Sequence, residues 1–279
     1  MNITADESGD EEMVTVKAEK GSVFSQTDAD PDLDPDHRLI LRSSTPLLKS
    51  RNAGVVLGVC SLHFYCGSKN QAVELQVGKA LIRILRNHRE IQYVVLHAIS
   101  NMAYIQPSLF VSFLPDFFIK STDPVFNKML KLEILTSIAT KQNILLIMRE
   151  LQLYAKHTSK KFVAATVQAV AKIADIDPSL SDTCMEGLLY LMACNKAPEV
   201  VEEVVGALRM MLQMCPELET ANNVLRSLVK LLIMEDGISE PGARSSIVWL
   251  VGEFYEKLKD VAPDVLRILV MLDEVLLQE

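Results

Sequence analysis

Cys60, His63 and Cys66 stand at a Cys-x2-His-x2-Cys spacing, where soft metal ligands crowd together in this 279-residue chain. Zinc needs such thiolates and imidazoles aimed at one point. The residues around them read as a helix, on which positions 60 and 66 lie about 120° apart around the axis. The ligands are therefore spread, and core packing is the expected role. Val77-Gly78-Lys79-Ala80 offers the Gly-Lys pair of a phosphate loop. That loop would need glycine where Val73 stands and Ser or Thr where Ala80 stands. No GxSxG, HExxH or GxGxxG occurs. His37, His63, His88, His97 and His157 are scattered, and Glu202–Glu203 lies where a solvated helix surface is expected. Five cysteines, an odd number without a CxxC, do not form a disulfide framework. The expectation is a protein without catalysis, metal, cofactor or small-molecule substrate.

Two groupings fit binding rather than chemistry. Lys79, Arg83, Arg86 and Arg89 recur at i, i+4, i+7 and i+10, one side of a helix, with Arg89 just past its turn. Two readings compete. One is a contact for an acidic lipid headgroup or an acidic partner segment. The other, the simpler, is a solvated face whose bases complement a helix C-terminus. Met210, Met211 and Met214 could form an adaptable surface, but core packing is the expected role.

The elements that hold these residues are helices. Val73, Val77, Ala80, Leu81, Ile84 and Leu85 repeat with a 3.6-residue period. So do Val163, Val167, Val170, Ala171 and Ala174, and Ile247, Leu250, Val251, Phe254 and Leu258. No strand-length stretch alternates beside turn signals. Prolines 35, 46, 107, 124, 178, 198, 216, 241 and 263 fall near the starts of periodic segments, where a missing N–H costs nothing. Asp34, Thr45, Asp123 and Asp177, each before a proline, are candidate N-caps. Helix pairs are predicted at 36–49/52–66, 70–87/89–105, 107–118/124–140, 142–157/159–174, 178–194/198–214 and 217–235/240–258, with a last helix at 262–278. The second helices begin at Asn52, Arg89, Pro124, Ser159, Pro198 and Glu240, every 35 to 42 residues. That period predicts an all-α, HEAT/armadillo-like solenoid of about six antiparallel pairs.

Composition agrees. The chain is 49% apolar, with 11 Gly and 11 Pro, too few for a turn-rich β protein. No run of 18 apolar residues suits a membrane span, and no signal-peptide core opens the chain. The expected compartment is the cytoplasm. Residues 1–36 carry eleven acids and two lysines, a net −9, while 37–279 is near neutral at +1. Residues 1–34 are thus expected to be an acidic disordered tail before a solenoid at 35–279. A near-neutral fold has no field favouring nucleic acid.

Several strings go further than periodicity. DPDHRLILRSSTPLLKSRNAGVV (34–56), REIQYVVLHAI (89–99), STDPVFNKMLKLEIL (121–135), KKFVAATVQAVAKIA (160–174), ARSSIVWLVGEF (243–254) and APDVLRIL (262–269) resemble the trunk of the β-adaptins. The first of them points to the subfamily of adaptor complex three. The resemblance covers about 240 residues and implies an internal part of a HEAT-repeat trunk. It implies a structural subunit of a heterotetrameric coat that moves cargo between Golgi or endosome and lysosome or vacuole. The implied partners are the large, medium and small adaptor chains and the surface of an anionic membrane. The implied location is cytoplasmic, peripheral on Golgi or endosomal membranes and vesicles. No cargo pocket and no clathrin motif are carried over.

Two features bear on the ends. Leu39, Ile40, Leu41, Val55, Val56, Leu57 and Val59 are too many for one inward stripe. Val265 to Leu277 is apolar around much of its circumference. Self-association or partner subunits are expected to cover both. The alternative class is a peptide-binding or nuclear-transport solenoid, whose groove presents a ladder of Trp and Asn. This chain has one tryptophan, Trp249, with Glu253 four residues on. An enzyme with an unrecognised helical site is the third class.

Overall fold

A computed structural model describes residues 34–67, 71–87, 89–215, 219–234, 238 and 240–268. The expected tail, apart from Asp34, lies outside the described residues, as do His88 and 269–278 of the last segment. The chain divides into two compact units, Met1–Val77 and Gly78–Glu279.

In the first unit, α1 (Pro35–Ser44) runs into a 3-10 turn, Thr45–Lys49, and α2 (Ala53–Cys66) packs back on that turn. Asn52 caps α2, its side chain accepting from Gly54 N and Val55 N. Leu41, Leu48, Val56 and Val59 are buried. Leu39, Ile40, Leu47 and Val55 are exposed, the surplus over one inward stripe that the sequence shows. α3 (Gln71–Asn87) crosses the boundary between the units. Its whole periodic set, Val73 to Leu85, is buried.

The second unit stacks helix pairs. First helices are α7 (Ile144–Tyr154), α9 (Ser181–Cys194) and α11 (Glu219–Ile233). Second helices are α4 (Gln92–Ile105), α6 (Val125–Ser137), α8 (Lys160–Ile176), α10 (Pro198–Met214) and α12 (Pro241–Glu253). Each second helix packs on the next in the order α4, α6, α8, α10, α12. First helices pack against this layer: α7 on α8, α9 on α8 and α10, and α11 on α12. This is an all-α solenoid, and no strand occurs among the described residues. Its core runs along the layer through Val163, Val167, Val204, Leu208, Ile247 and Leu250. Each such side chain adds about 1.5–3 kcal/mol on burial, and neighbouring pairs share them, so no pair is stable alone.

The third pair departs from the expected pattern. A helix over 107–118 is predicted, but the structure has a single turn, α5 (Ser108–Val111), and a 3-10 turn, Leu114–Phe117. Pro115 explains the break, since inside a helix it would remove one hydrogen bond and clash with the preceding turn. Gly78 lets this segment approach α3. A Cβ there would meet Phe113 Cε2 at 3.0 Å and Leu109 O at 3.4 Å. Of the candidate caps, Asp177 accepts from Ser179 N. Asp34 makes no side-chain cap bond, and the N-cap position of α6 is taken by Pro124, which makes none either, rather than by Asp123. Thr45 instead continues the chain into a 3-10 turn, and its hydroxyl bonds back to Leu41 O.

Candidate interaction surfaces

The Cys-His-Cys spacing does not gather its members. Cys60 is fully buried and its thiol donates to Val77 O at 3.9 Å. His63 is buried, with Nε2 3.1 Å from Ser44 Oγ, and burial lowers its pKa. Cys66 is exposed, which corrects the expectation that all three pack in the core. Among the described residues no three His, Cys, Asp or Glu side chains converge on one point. Burial pushes the Cys184 thiol up to about 11, so it stays protonated.

The basic stripe is only partly free. Lys79 and Arg89 are exposed, Arg83 is half-buried, and α3 ends at Asn87, before Arg89. Arg86 grips Asp116 with both arms: Nε donates to Oδ1 and Nη2 to Oδ2, each at 2.7 Å. That bidentate bond, then Asp116's charge, raises the Arg86 pKa. Arg86 thereby pins the broken third pair to α3, a use of its charge that the stripe reading did not include.

Met211 is buried, but Met210 and Met214 are exposed, which corrects the expected core role for those two. They follow Arg209 and Glu202 along the outer side of α10, where the 3.6-residue period leaves them. Trp249 on α12 lies partly exposed beneath the Arg209 guanidinium, 4.4 Å from the ring centroid. Phe254, expected in the core, is half-buried just past the end of α12.

Two clusters were missed by spacing arguments. The first is polar and buried. Lys131 Nζ donates to Asp123 Oδ2 at 2.6 Å and to Phe118 O at 3.3 Å. Asp123 Oδ2 also accepts from Lys120 N at 3.0 Å, and the Tyr154 hydroxyl accepts from Ile119 N at 2.9 Å. Burial works against the Asp123 carboxylate, but the bonds from Lys131 and Lys120 and their charges outweigh it and hold its pKa below the usual range. Burial pushes the Tyr154 hydroxyl's pKa up. These groups satisfy the backbone of the non-helical stretch 118–123, as buried polar groups must be satisfied. Beside them, Lys128 Nζ lies 3.0 Å from His157 Nε2, and Ser159 N donates to His157 Nδ1 at 3.0 Å. Burial, then the Lys128 charge, lowers the His157 pKa. A signal existed: Lys128 and Lys131 share the helical face of Leu132 and Leu135, against the rule that apolar faces exclude charge.

The second cluster is apolar and exposed. Tyr93, Val94 and His97 on α4 stand beside Val125, Phe126 and Met129 on α6. Tyr93 meets Phe126 edge to face at 5.5 Å and stacks on His97 at 6.4 Å. The exposed rings and apolar side chains of this second cluster suit contact with another molecule.

Residues 21–274 match the adaptin N-terminal region family. The chain belongs to that family. It is 42% identical over 235 residues to AP-3 complex subunit beta-1 of Mus musculus, covering 84% of this chain and 20% of that protein. It is 40% identical over 275 residues to AP-3 complex subunit beta of Dictyostelium discoideum, covering 87% of this chain and 24% of that one. The chain thus spans a fifth to a quarter of the curated relatives it matches. Its fold superposes with a TM-score of 0.69 and 26% identity on a chain described as a homology model of the full-length AP-3 complex in an intermediate open conformation, covering 88% of this chain and 39% of that chain. No helix among the described residues is long and apolar enough to cross a membrane.

Proposed function

We propose that the chain is part of a non-catalytic trunk subunit in a heterotetrameric adaptor coat of vesicle-mediated protein transport. The observation that carries the reading is the 42% identity to an AP-3 beta subunit over 84% of the chain, together with the adaptin N-terminal match over residues 21–274. A solenoid offers long lateral surfaces and little enclosed volume, which suits scaffolding. In this role the partners are the other large, medium and small adaptor chains, and the site of action is the cytoplasmic face of Golgi or endosomal membranes. The cargo route leads toward the lysosome or vacuole. Lys79 and Arg89 supply a peripheral, salt-sensitive attraction to anionic lipid, with Arg83 beside them and Arg86 held by Asp116. The test is quantitative affinity capture of the tagged chain from cell extract. Stoichiometric recovery of adaptor subunits is expected. Recovery of nuclear-transport cargo, or of neither, overturns the reading.

A further inference from the structure

Tyr93 and Phe126 are 47% and 54% exposed, and Val94, Val125 and Met129 beside them are exposed as well. Ring pairs of this kind gain most when desolvated, and exposed clusters mark interaction sites. The patch continues into a groove of about 220 Å³ between α6 and α8, with Met129, Leu132, Ala165 and Ala169 among its lining. Glu133 and Lys172, opposite in charge, also line it.

The edge of the patch is positive. Arg89 is exposed one turn before Tyr93, and Lys161 holds in α8 the register that Phe126 holds in α6. Glu90 is the acid beside them. α4, α6 and α8 all begin without a side-chain cap, so the positive ends of three parallel helices add to the two bases.

We infer that the outer face of α4 and α6 around Tyr93 and Phe126 docks a folded partner chain with an apolar contact surface edged by carboxylates. The inference rests on the adaptor-subunit reading and gives it a place on the molecule. Repeats of a solenoid touch only their neighbours, so further repeats at either end cannot reach the side of α4 and α6. A second copy is disfavoured, because a two-fold contact would bring the same positive edge, with Arg89 and Lys161, to the interface from both sides. An acidic surface with apolar side chains meets both the rings and the charge.

The experiment co-expresses the full chain with the medium and small adaptor chains and measures their recovery. Three variants are compared: Tyr93→Ser with Phe126→Ser, Arg89→Glu with Lys161→Glu, and the control Tyr190→Ser with Tyr255→Ser at exposed positions elsewhere. Circular dichroism establishes that each is folded. The ring variant is expected to lose about tenfold or more of the captured partner. The charge variant should lose binding most at low salt, and the control should match the wild type. A photo-crosslinking residue at position 126 should join the partner, and one at position 190 should not, which covers the case of a ring variant that does not fold. Wild-type recovery by the folded ring variant, or crosslinks from 190 alone, overturns this inference and leaves the adaptor reading intact. No recovery by the wild type sinks both.

Discussion

Asp123→Ala should be among the most damaging substitutions at any charged residue of the chain. The Asp123 and Lys131 side chains are only 10% and 6% exposed, and their atoms lie 2.6 Å apart. Breaking such a pair strands a buried charge and costs about 3–5 kcal/mol. Lys131 keeps its bond to Phe118 O, so the lower end applies, about 3 kcal/mol. Lys120 N also loses an acceptor, and the stretch 118–123 that the pair holds in place loosens. Lys131→Met with Asp123→Ala removes both charges and should recover much of the loss, because an apolar replacement owes no desolvation. A double-mutant cycle by urea unfolding, followed by circular dichroism, should give a coupling of about 2 kcal/mol. Additive losses, or a cost below about 1 kcal/mol for Asp123→Ala, would show that the pair behaves as a surface ion pair.

The pH dependence follows from His157. Its folded pKa lies below the ordinary value, so the unfolded chain binds more protons on acidification. Its contribution to stability is complete above about pH 6.5 and is lost as pH falls below that. An imidazolium has no lone pair to accept from Ser159 N and sets a second positive charge beside Lys128. Urea midpoints at pH 7.5 and 5.5 should differ less for His157→Gln than for the wild type; His63, lowered by burial, acts in the same direction and leaves a remainder. Phe254→Ala should cost about 1–2 kcal/mol, less than a fully buried phenylalanine, whereas Phe162→Ala should cost about 3–5 kcal/mol; equal losses would place Phe254 in the core. Lys79→Ala with Arg89→Ala should weaken binding to anionic liposomes at low salt, and binding equal to the wild type would leave those residues a purely solvated role.

How far the sequence could be read depended on the physics at each place. The period of Val73 to Leu85 named a buried face, and all six of its residues are buried. Second helices were placed to within a few residues, because prolines at 124, 198 and 241 mark their starts. The first helix of the third pair departs from its periodicity because Pro115 interrupts an otherwise apolar run. Lys128 and Lys131 were hidden because charge in a helical pattern reads as solvent-facing unless its partners are known, and Asp123 and His157 reach them through tertiary contact. The same limit applies to Arg86, whose partner Asp116 lies thirty residues away. Tyr93 and Phe126 belong to different helices, so no single-helix period could pair them.

The central claim is membership in a heterotetrameric adaptor, and the most direct measurement is native mass spectrometry of the tagged chain co-expressed with the other large, medium and small adaptor chains. A complex holding one copy of this chain together with adaptor partners is the predicted mass. This chain recovered only alone or as its own oligomer, with the partners folded and present in the same lysate, would contradict the account.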